Sequence, residues 1–267
     1  PVYDSFKRRI SYLRVSVTDR CNLRCIYCMP EEGISMVQHS DILTYEEILE
    51  VIRVSVTMGI DKVRITGGEP LVRKGLVPFI AKVADITGIT DLGLTTNGIL
   101  LEEFALPLAE AGLHRINISL DTIDPVKYRW ITRGGDLDRV LKGIQAARDS
   151  GLRPIKINCV IQNSSDEPDA VAVRKFCLDN GLEVRFIHQM NLGEGSFTIV
   201  ENGHGGDCER CNRLRLTANG KIKPCLFSDL EFDIRSLGIK QAIEQAVGMK
   251  PEKGLSNTTG FFHNIGG

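Results

Sequence analysis

The sequence predicts an α/β protein built on a parallel sheet, and three observations predict it. Short segments, most of them rich in Val or Ile, alternate with segments of helical period from Ser11 to Met190. The connections are short, and each helical segment is followed within two residues by a glycine. Cysteines, a glycine pair and polar residues crowd the C-terminal ends of the strand segments, where parallel β/α folds carry their chemistry. Such alternation implies a parallel sheet, open or curled into a barrel, and periodicity does not choose between them.

In chain order, a strand over 12–17 leads into Cys21-Asn22-Leu23-Arg24-Cys25-Ile26-Tyr27-Cys28, a C-x3-C-x2-C run. A helix over 45–58 follows, opened by Thr44 with Glu47 at capping-box spacing. The strand 62–66 ends in Gly67-Gly68-Glu69-Pro70 and precedes a helix over 76–86. The strand 91–95 runs into Thr95-Thr96-Asn97-Gly98 before a helix over 102–111. The strand 115–120 ends at Ser119-Leu120-Asp121, ahead of a helix over 137–150. The strand 155–161 carries Lys156 and Asn158, and a helix over 169–180 leads to the strand 183–187 with Arg185, then Met190. Gly59, Gly88, Gly112, Gly151 and Gly181 are expected at positive φ past the helix ends. Cys159 and Cys177 lie in apolar segments and read as core residues, since an unmodified cysteine behaves as a small hydrophobe.

Composition narrows the class. The 267 residues suffice for a large domain over 1–190 with an appendage over 191–267. A hydrophobic content of 42% and a charged content of 25% are ordinary for a soluble globular chain. No apolar run reaches the roughly 18–20 residues of a membrane span, and no apolar run follows the charged N-terminus as in a secretory signal. A net charge of −1 argues against a general nucleic-acid binder. Six of the eight cysteines form two tight triplets, unlike a disulfide framework, so a reducing cytoplasm is the expected location.

Three thiols supply three of the four ligands that a cubic iron–sulfur cluster takes, leaving one iron for a non-protein ligand. Zinc would want a fourth Cys or His nearby, and Glu31, Glu32 and His39 are poor candidates. The spacing of Cys21, Cys25 and Cys28, with Tyr27 before the last, resembles the signature of the radical S-adenosylmethionine (SAM) superfamily. That resemblance implies a partial (βα)6 TIM-like barrel with a C-terminal second-cluster extension. It also implies that the open iron binds SAM and that Gly67-Gly68-Glu69-Pro70 lines the site for the SAM amino group.

Past Met190 the alternation stops, and the Gly-rich segment 191–207 reads as a linker or mobile loop. Cys208-Glu209-Arg210-Cys211 and Cys225 then make a second set of three thiols, which either holds a second cluster or is completed to a zinc site by His204 or His263. Cys211-Asn212-Arg213-Leu214-Arg215-Leu216-Thr217, Lys223-Pro224-Cys225-Leu226-Phe227 and the terminal Gly266-Gly267 are similar to the GTP 3′,8-cyclase family of molybdenum cofactor biosynthesis. So are the segments Ser11 to Cys21, Arg64 to Leu71 and Leu94 to Gly98, and the match runs nearly end to end.

The family resemblance implies a radical SAM lyase with two 4Fe–4S clusters, at Cys21, Cys25 and Cys28 and at Cys208, Cys211 and Cys225. SAM is cleaved at the first, the deoxyadenosyl radical takes the ribose C3′ hydrogen of GTP, and the sugar radical attacks guanine C8. Guanine is held at the second. Tyr27, Gly68, Glu69, Ser119 and Met190 are the implied SAM contacts. Arg14, Lys62, Arg64, Thr95, Lys156, Arg185, Arg213, Leu214 and Arg215 are the implied GTP contacts, with Arg14, Lys156, Arg185, Arg213 and Arg215 in catalytic roles. Converging Lys and Arg suit a triphosphate, and Lys62 and Arg64, two apart on a strand, point to one side. Implied partners are a reductant protein, the downstream cyclic pyranopterin monophosphate synthase and a second copy in a homodimer, with neither membrane nor nucleic acid.

The chain departs from the family pattern in two places: the linker 191–207 is short, and His188-Gln189 stand where the family commonly has an acidic and an apolar residue. His188 reads as a wall histidine or an altered substrate contact. The alternative enzyme is a radical SAM protein with an auxiliary cluster that modifies a peptide or another nucleotide. Such proteins usually carry more auxiliary cysteines and lack the Arg213 and Arg215 pair. A zinc-binding interaction module would instead be colourless and would not consume SAM.

Overall fold

The computed structural model describes residues 1–30, 32, 35–260 and 262–265. Glu31, Gly266-Gly267 and the His263 side chain, all weighed above, lie outside the described residues.

Val2–Tyr3 (β1) and Arg9–Ile10 (β2) form a short antiparallel hairpin. The six expected strands follow as Tyr12–Ser16 (β3), Lys62–Thr66 (β4), Asp91–Thr96 (β5), Arg115–Ser119 (β6), Ile155–Ile161 (β7) and Glu183–His188 (β8). Consecutive members pair in parallel. The five expected helices are Tyr45–Thr57 (α1), Leu76–Ala84 (α2), Leu101–Glu110 (α3), and, after an unforeseen Pro125–Ile131 (α4), Leu137–Asp149 (α5) and Pro168–Asn180 (α6). The capping box before α1 is complete: the Glu47 amide donates to Thr44 Oγ1 at 3.1 Å and the Thr44 amide to Glu47 Oε2 at 2.7 Å. All five helix-ending glycines have positive φ.

Beyond Met190 the chain returns to the same sheet. Arg213–Leu216 (β9) pairs in parallel with β3, and Lys221–Lys223 (β10) and Phe232–Asp233 (β11) continue antiparallel. Ile234–Leu237 (α7), Ile239–Gly248 (α8) and Phe262–Ile265 (α9) complete the described chain. The nine-stranded order is β11-β10-β9-β3-β4-β5-β6-β7-β8. Among the described residues no helix is long and apolar enough to cross a membrane.

Side chains alternate between sheet faces along each strand, and the register brings like beside like. Leu13, Val15, Val63, Ile65, Leu92, Leu94, Ile116, Ile118, Ile157, Leu214 and Leu216 lie on one face, buried in the main core with residues of the helices. Fully burying each stabilises by about 1.5–3 kcal/mol. The other face is polar. Arg14 sits between Arg64 and Arg215, Asn117 between Thr95 and Lys156, and Asn158 between Ser119 and Arg185.

The polar face is concave. Strands lie about 4.8 Å apart, so in a flat sheet β3 and β8 would be separated by roughly 24 Å. Yet the cysteine loop after β3 and Ile187 of β8 line one cavity. The Arg14 and Arg185 guanidiniums are also close enough for the charge on Arg185 to depress Arg14.

Candidate active site

A cavity of about 210 Å³ opens at the C-terminal ends of the parallel strands. Cys21, Cys25, Tyr27 and Cys28 line it from the loop after β3, and Thr66, Gly67 and Gly68 from the end of β4. Thr95, Thr96 and Asn97 contribute from β5, Ser119 from β6, Asn158 and Val160 from β7, and Ile187 to Met190 from β8. Phe262 of α9 completes the walls.

The cysteine loop is tied on both sides. The Cys28 and Met29 amides donate to Cys25 O, each at 3.0 Å. The Arg24 and Ile26 amides donate to the carbonyls of Thr132 and Ile131, at 3.2 and 2.9 Å, at the end of α4. Arg133, at φ +52°, donates from one guanidinium nitrogen to Arg24 O (3.0 Å) and Met29 O (2.8 Å), spanning the loop. α4 was invisible in the sequence because it is short and buries only Tyr128, so it has no helical stripe. Its signal was the cap: Asp124 accepts from the Val126 and Lys127 amides, with Pro125 in the first turn.

Gly67 and Gly68 hold the segment that feeds this loop. A Cβ on Gly68 would lie 2.4 Å from Arg20 O, so only glycine permits the approach. The Gly68 and Glu69 amides donate to Thr18 O and Arg20 O, each at 2.8 Å. Glu69, 1% exposed, is turned away from the cavity lining. Its carboxylate accepts from Leu71 N, Thr96 Oγ1 and Asn97 N at 3.0, 2.8 and 2.7 Å. Burial pushes its carboxyl up to about 7 against these three donors. Sequence reasoning also passed over Asp121, whose carboxylate accepts from the Tyr27 hydroxyl (2.7 Å) and the Val160 amide (2.8 Å).

The three thiols of the first triplet are unbridged. Burial raises all three, Cys28 to about 12, with Asp121 and the neighbouring sulfurs adding to the rise at Cys25. Thiolates form here only when a bound cation supplies the positive charge that the pocket lacks. Three such sulfurs on one cavity wall fit a cubane that takes three protein thiolates. Among the described residues no group of three His, Cys, Asp or Glu side chains could hold a single metal ion.

The second triplet sits at the other end of β3. Arg213 pairs in register with Tyr12, at the start of β3, whereas Cys21 follows its end. Five residues of strand, roughly 16 Å, separate the two levels. Here the electrostatics reverse. Burial would raise Cys211, but Lys250 and Arg213 outweigh it and bring the thiol down to about 6.

Between these levels lie the basic residues. Burial lowers Arg14, Arg64, Arg185 and Arg215, Arg64 to about 10 and Arg215 to about 9, and neighbouring guanidiniums add to each. The Arg64 guanidinium lies over Gly93, where a Cβ would sit 3.0 Å from its Nε, and reaches Thr95 Oγ1 at 3.3 Å. Lys156 pairs with Glu183 at 2.5 Å, and Arg115 with Asp91. Lys62 is exposed at the start of β4, and the Leu214 side chain is buried in the core. His188 stands on the cavity wall, its Nε2 3.7 Å from Glu201.

Comparison with known proteins follows this layout. Residues 15–177 match the family model for the radical SAM superfamily, and residues 178–254 that for Molybdenum Cofactor Synthesis C. The chain is 42% identical to a GTP 3′,8-cyclase of Thermodesulfovibrio yellowstonii over 96% of each chain. It is 44% identical to one of Heliobacterium modesticaldum over 87% of this chain and 86% of that one. Among solved structures, anSMEcpe with bound AdoMet superposes with a TM-score of 0.61 at 16% identity, covering 90% of this chain and 81% of the other. Methylornithine synthase superposes at 0.55 with 19% identity, over 68% and 54%. These two show a shared fold.

Proposed function

The chain belongs to the GTP 3′,8-cyclase family of the radical SAM superfamily, and from that premise we propose how its cavity converts GTP to (8S)-3′,8-cyclo-7,8-dihydroguanosine 5′-triphosphate in molybdenum cofactor biosynthesis. The observation that carries the reading is the placement of two thiol triplets at opposite ends of one polar sheet face, with buried guanidiniums between them. Bound at these triplets, two 4Fe–4S clusters and SAM supply one-electron chemistry and a carbon-centred radical.

The chain's own residues do the rest. Tyr27, Gly68, Ser119 and Met190 shape the wall against which SAM lies, and Glu69 holds Asn97 and the Gly-Gly turn in place from behind. Burial and neighbouring guanidiniums lower Arg14, Arg64, Arg185 and Arg215, so an added negative charge among them favours their charged forms. A triphosphate supplies that charge, with Lys156, Arg213 and Thr95 completing its contacts. Leu214 contributes through its backbone, and Lys62 lies at the outer rim. Guanine is oriented toward the second triplet. Residues 191–267 form the auxiliary-cluster region on a barrel over 1–190. A homodimer in the cytoplasm, served by a reductant protein and passing its product to cyclic pyranopterin monophosphate synthase, is the setting this reading takes.

The test is anaerobic reconstitution, reduction and incubation of SAM with GTP, or with ATP as control, reading 5′-deoxyadenosine and new purine products by mass spectrometry. Two clusters correspond to about eight irons per chain, and a product with GTP alone is the expected result. Deoxyadenosine without a GTP product would discard the cyclase assignment and direct attention to His188 and Gln189.

A further inference from the structure

Two buried cations hold the second triplet, and they are not equivalent. Arg8, 9% exposed, donates to Cys208 O at 2.6 Å, Glu252 O at 2.9 Å and Pro251 O at 2.7 Å. Its charge is already matched, because its Nε lies 2.6 Å from the fully buried Asp4 carboxylate. Lys250, 3% exposed, donates to Arg213 O at 2.8 Å and Pro224 O at 2.5 Å. These carbonyls belong to the residue two past Cys211 and the residue just before Cys225. The Cys211 and Cys225 sulfurs lie near enough for their charge to act on Lys250.

Among the described residues no carboxylate forms an ion pair with Lys250. A buried ammonium without a counter-anion is strongly unfavourable. The anions that face it are therefore sulfurs. Arg8 faces it as a cation, and Arg8 spends its charge on Asp4.

We propose that Lys250 is a positioning residue for the second triplet: its ammonium spans the two chain arms that carry Cys211 and Cys225, and its charge makes the group bound there easier to reduce. The proposal rests on the reading of this triplet as an iron–sulfur site. Each electron added to a thiolate-bound cluster adds negative charge, and a fixed cation at the sulfurs favours the reduced form. Arg8 shapes the loop around Cys208 without this effect, since Asp4 cancels its charge.

The test uses full-length protein with Cys21, Cys25 and Cys28 replaced by Ala, so that the second triplet alone is reconstituted. K250M removes the charge and the donors, K250Q removes the charge but keeps donors, and K250R keeps the charge. Iron content and an anaerobic redox titration followed by electron paramagnetic resonance are the readouts. K250M and K250Q should each shift the oxidised-to-reduced ratio at fixed potential at least tenfold toward oxidised, about 59 mV for one electron. K250R should stay near the parent. A purely structural role would lower iron content in all three variants and leave the potential of the loaded fraction unmoved, and that result overturns the proposal. A parent protein that loads no iron–sulfur cluster overturns the reading of the triplet and the proposal together.

Discussion

Tyr27→Phe isolates one contact that fixes the first triplet. The Tyr27 hydroxyl donates to Asp121 at 2.7 Å, and the other Asp121 oxygen accepts the Val160 amide at 2.8 Å. Burial, followed by the Asp121 charge, holds Tyr27 well above the ordinary phenol range, so it remains a donor at any pH of interest. Burial lifts the Asp121 carboxyl from 3.8 to about 6, against the pull of its two donors. The folded form therefore binds this proton more tightly than the unfolded form does. Stability is greatest below the unfolded value and falls as pH rises toward 6, by ~3 kcal/mol for a rise of about two units.

Removing the hydroxyl takes a donor from the charged form and pushes Asp121 up further. At pH 5, where the carboxyl is largely protonated, the loss should resemble a neutral hydrogen bond, about 0.5–1.5 kcal/mol. At pH 8, where the parent carries a carboxylate, it should reach about 1.5–3 kcal/mol. The assay is urea unfolding of the metal-free, reduced protein at both pH values, comparing midpoints at unchanged slope. An equal loss at pH 5 and pH 8, or a larger loss at pH 5, would refute the reasoning.

Two further substitutions separate positioning from folding. Gly93→Ala places a Cβ 3.0 Å from Arg64 Nε and swings the guanidinium off Thr95. The fold should tolerate it, while KM for GTP rises about tenfold, the worth of one charge-assisted contact; an unchanged KM would remove Arg64 from the substrate site. Arg133→Ala strips two donors from the carbonyls of Arg24 and Met29. Iron retained at the first triplet under chelator challenge should fall about tenfold with the second triplet unaffected, and equal retention would show that α4 alone holds the loop.

Much of this was legible in the residues. The six parallel strands, five of the helices between them, the capping box at Thr44 and the two thiol triplets all follow from local pattern. The curl of the sheet was not read from the pattern, which did not choose between an open and a curled sheet; only the family resemblance implied a barrel. A parallel sheet covered on both faces needs strands that are apolar throughout. Arg115-Ile116-Asn117-Ile118-Ser119 and Lys62-Val63-Arg64-Ile65-Thr66 alternate instead, so one face of these strands is polar. What could not be read was nonlocal. Arg213-Leu214-Arg215-Leu216 is four residues with no local mark of its partner, and that partner lies about two hundred residues earlier. Lys250, between Met249 and Pro251 in no periodic segment, gives no sign that it reaches Cys211. Glu69 was expected to touch SAM and Asp121 was given no role, because the burial that makes both of them loop anchors is not visible in sequence.

The pairing of β9 with β3 has a consequence for the nascent chain. β3 gains β4 early, but its other edge has no partner until Leu216 is made, some 150 residues after Thr66. At ribosomal speeds of about 5–20 residues per second that wait lasts roughly eight to thirty seconds. An open strand edge invites pairing with other chains. Arg14, in the middle of β3, is a built-in deterrent: an identical strand laid alongside in register would set guanidinium against guanidinium. In the finished protein the same repulsion persists between Arg14, Arg64 and Arg215. The charge that guards the unfinished sheet is thus the charge that later draws in a polyanion.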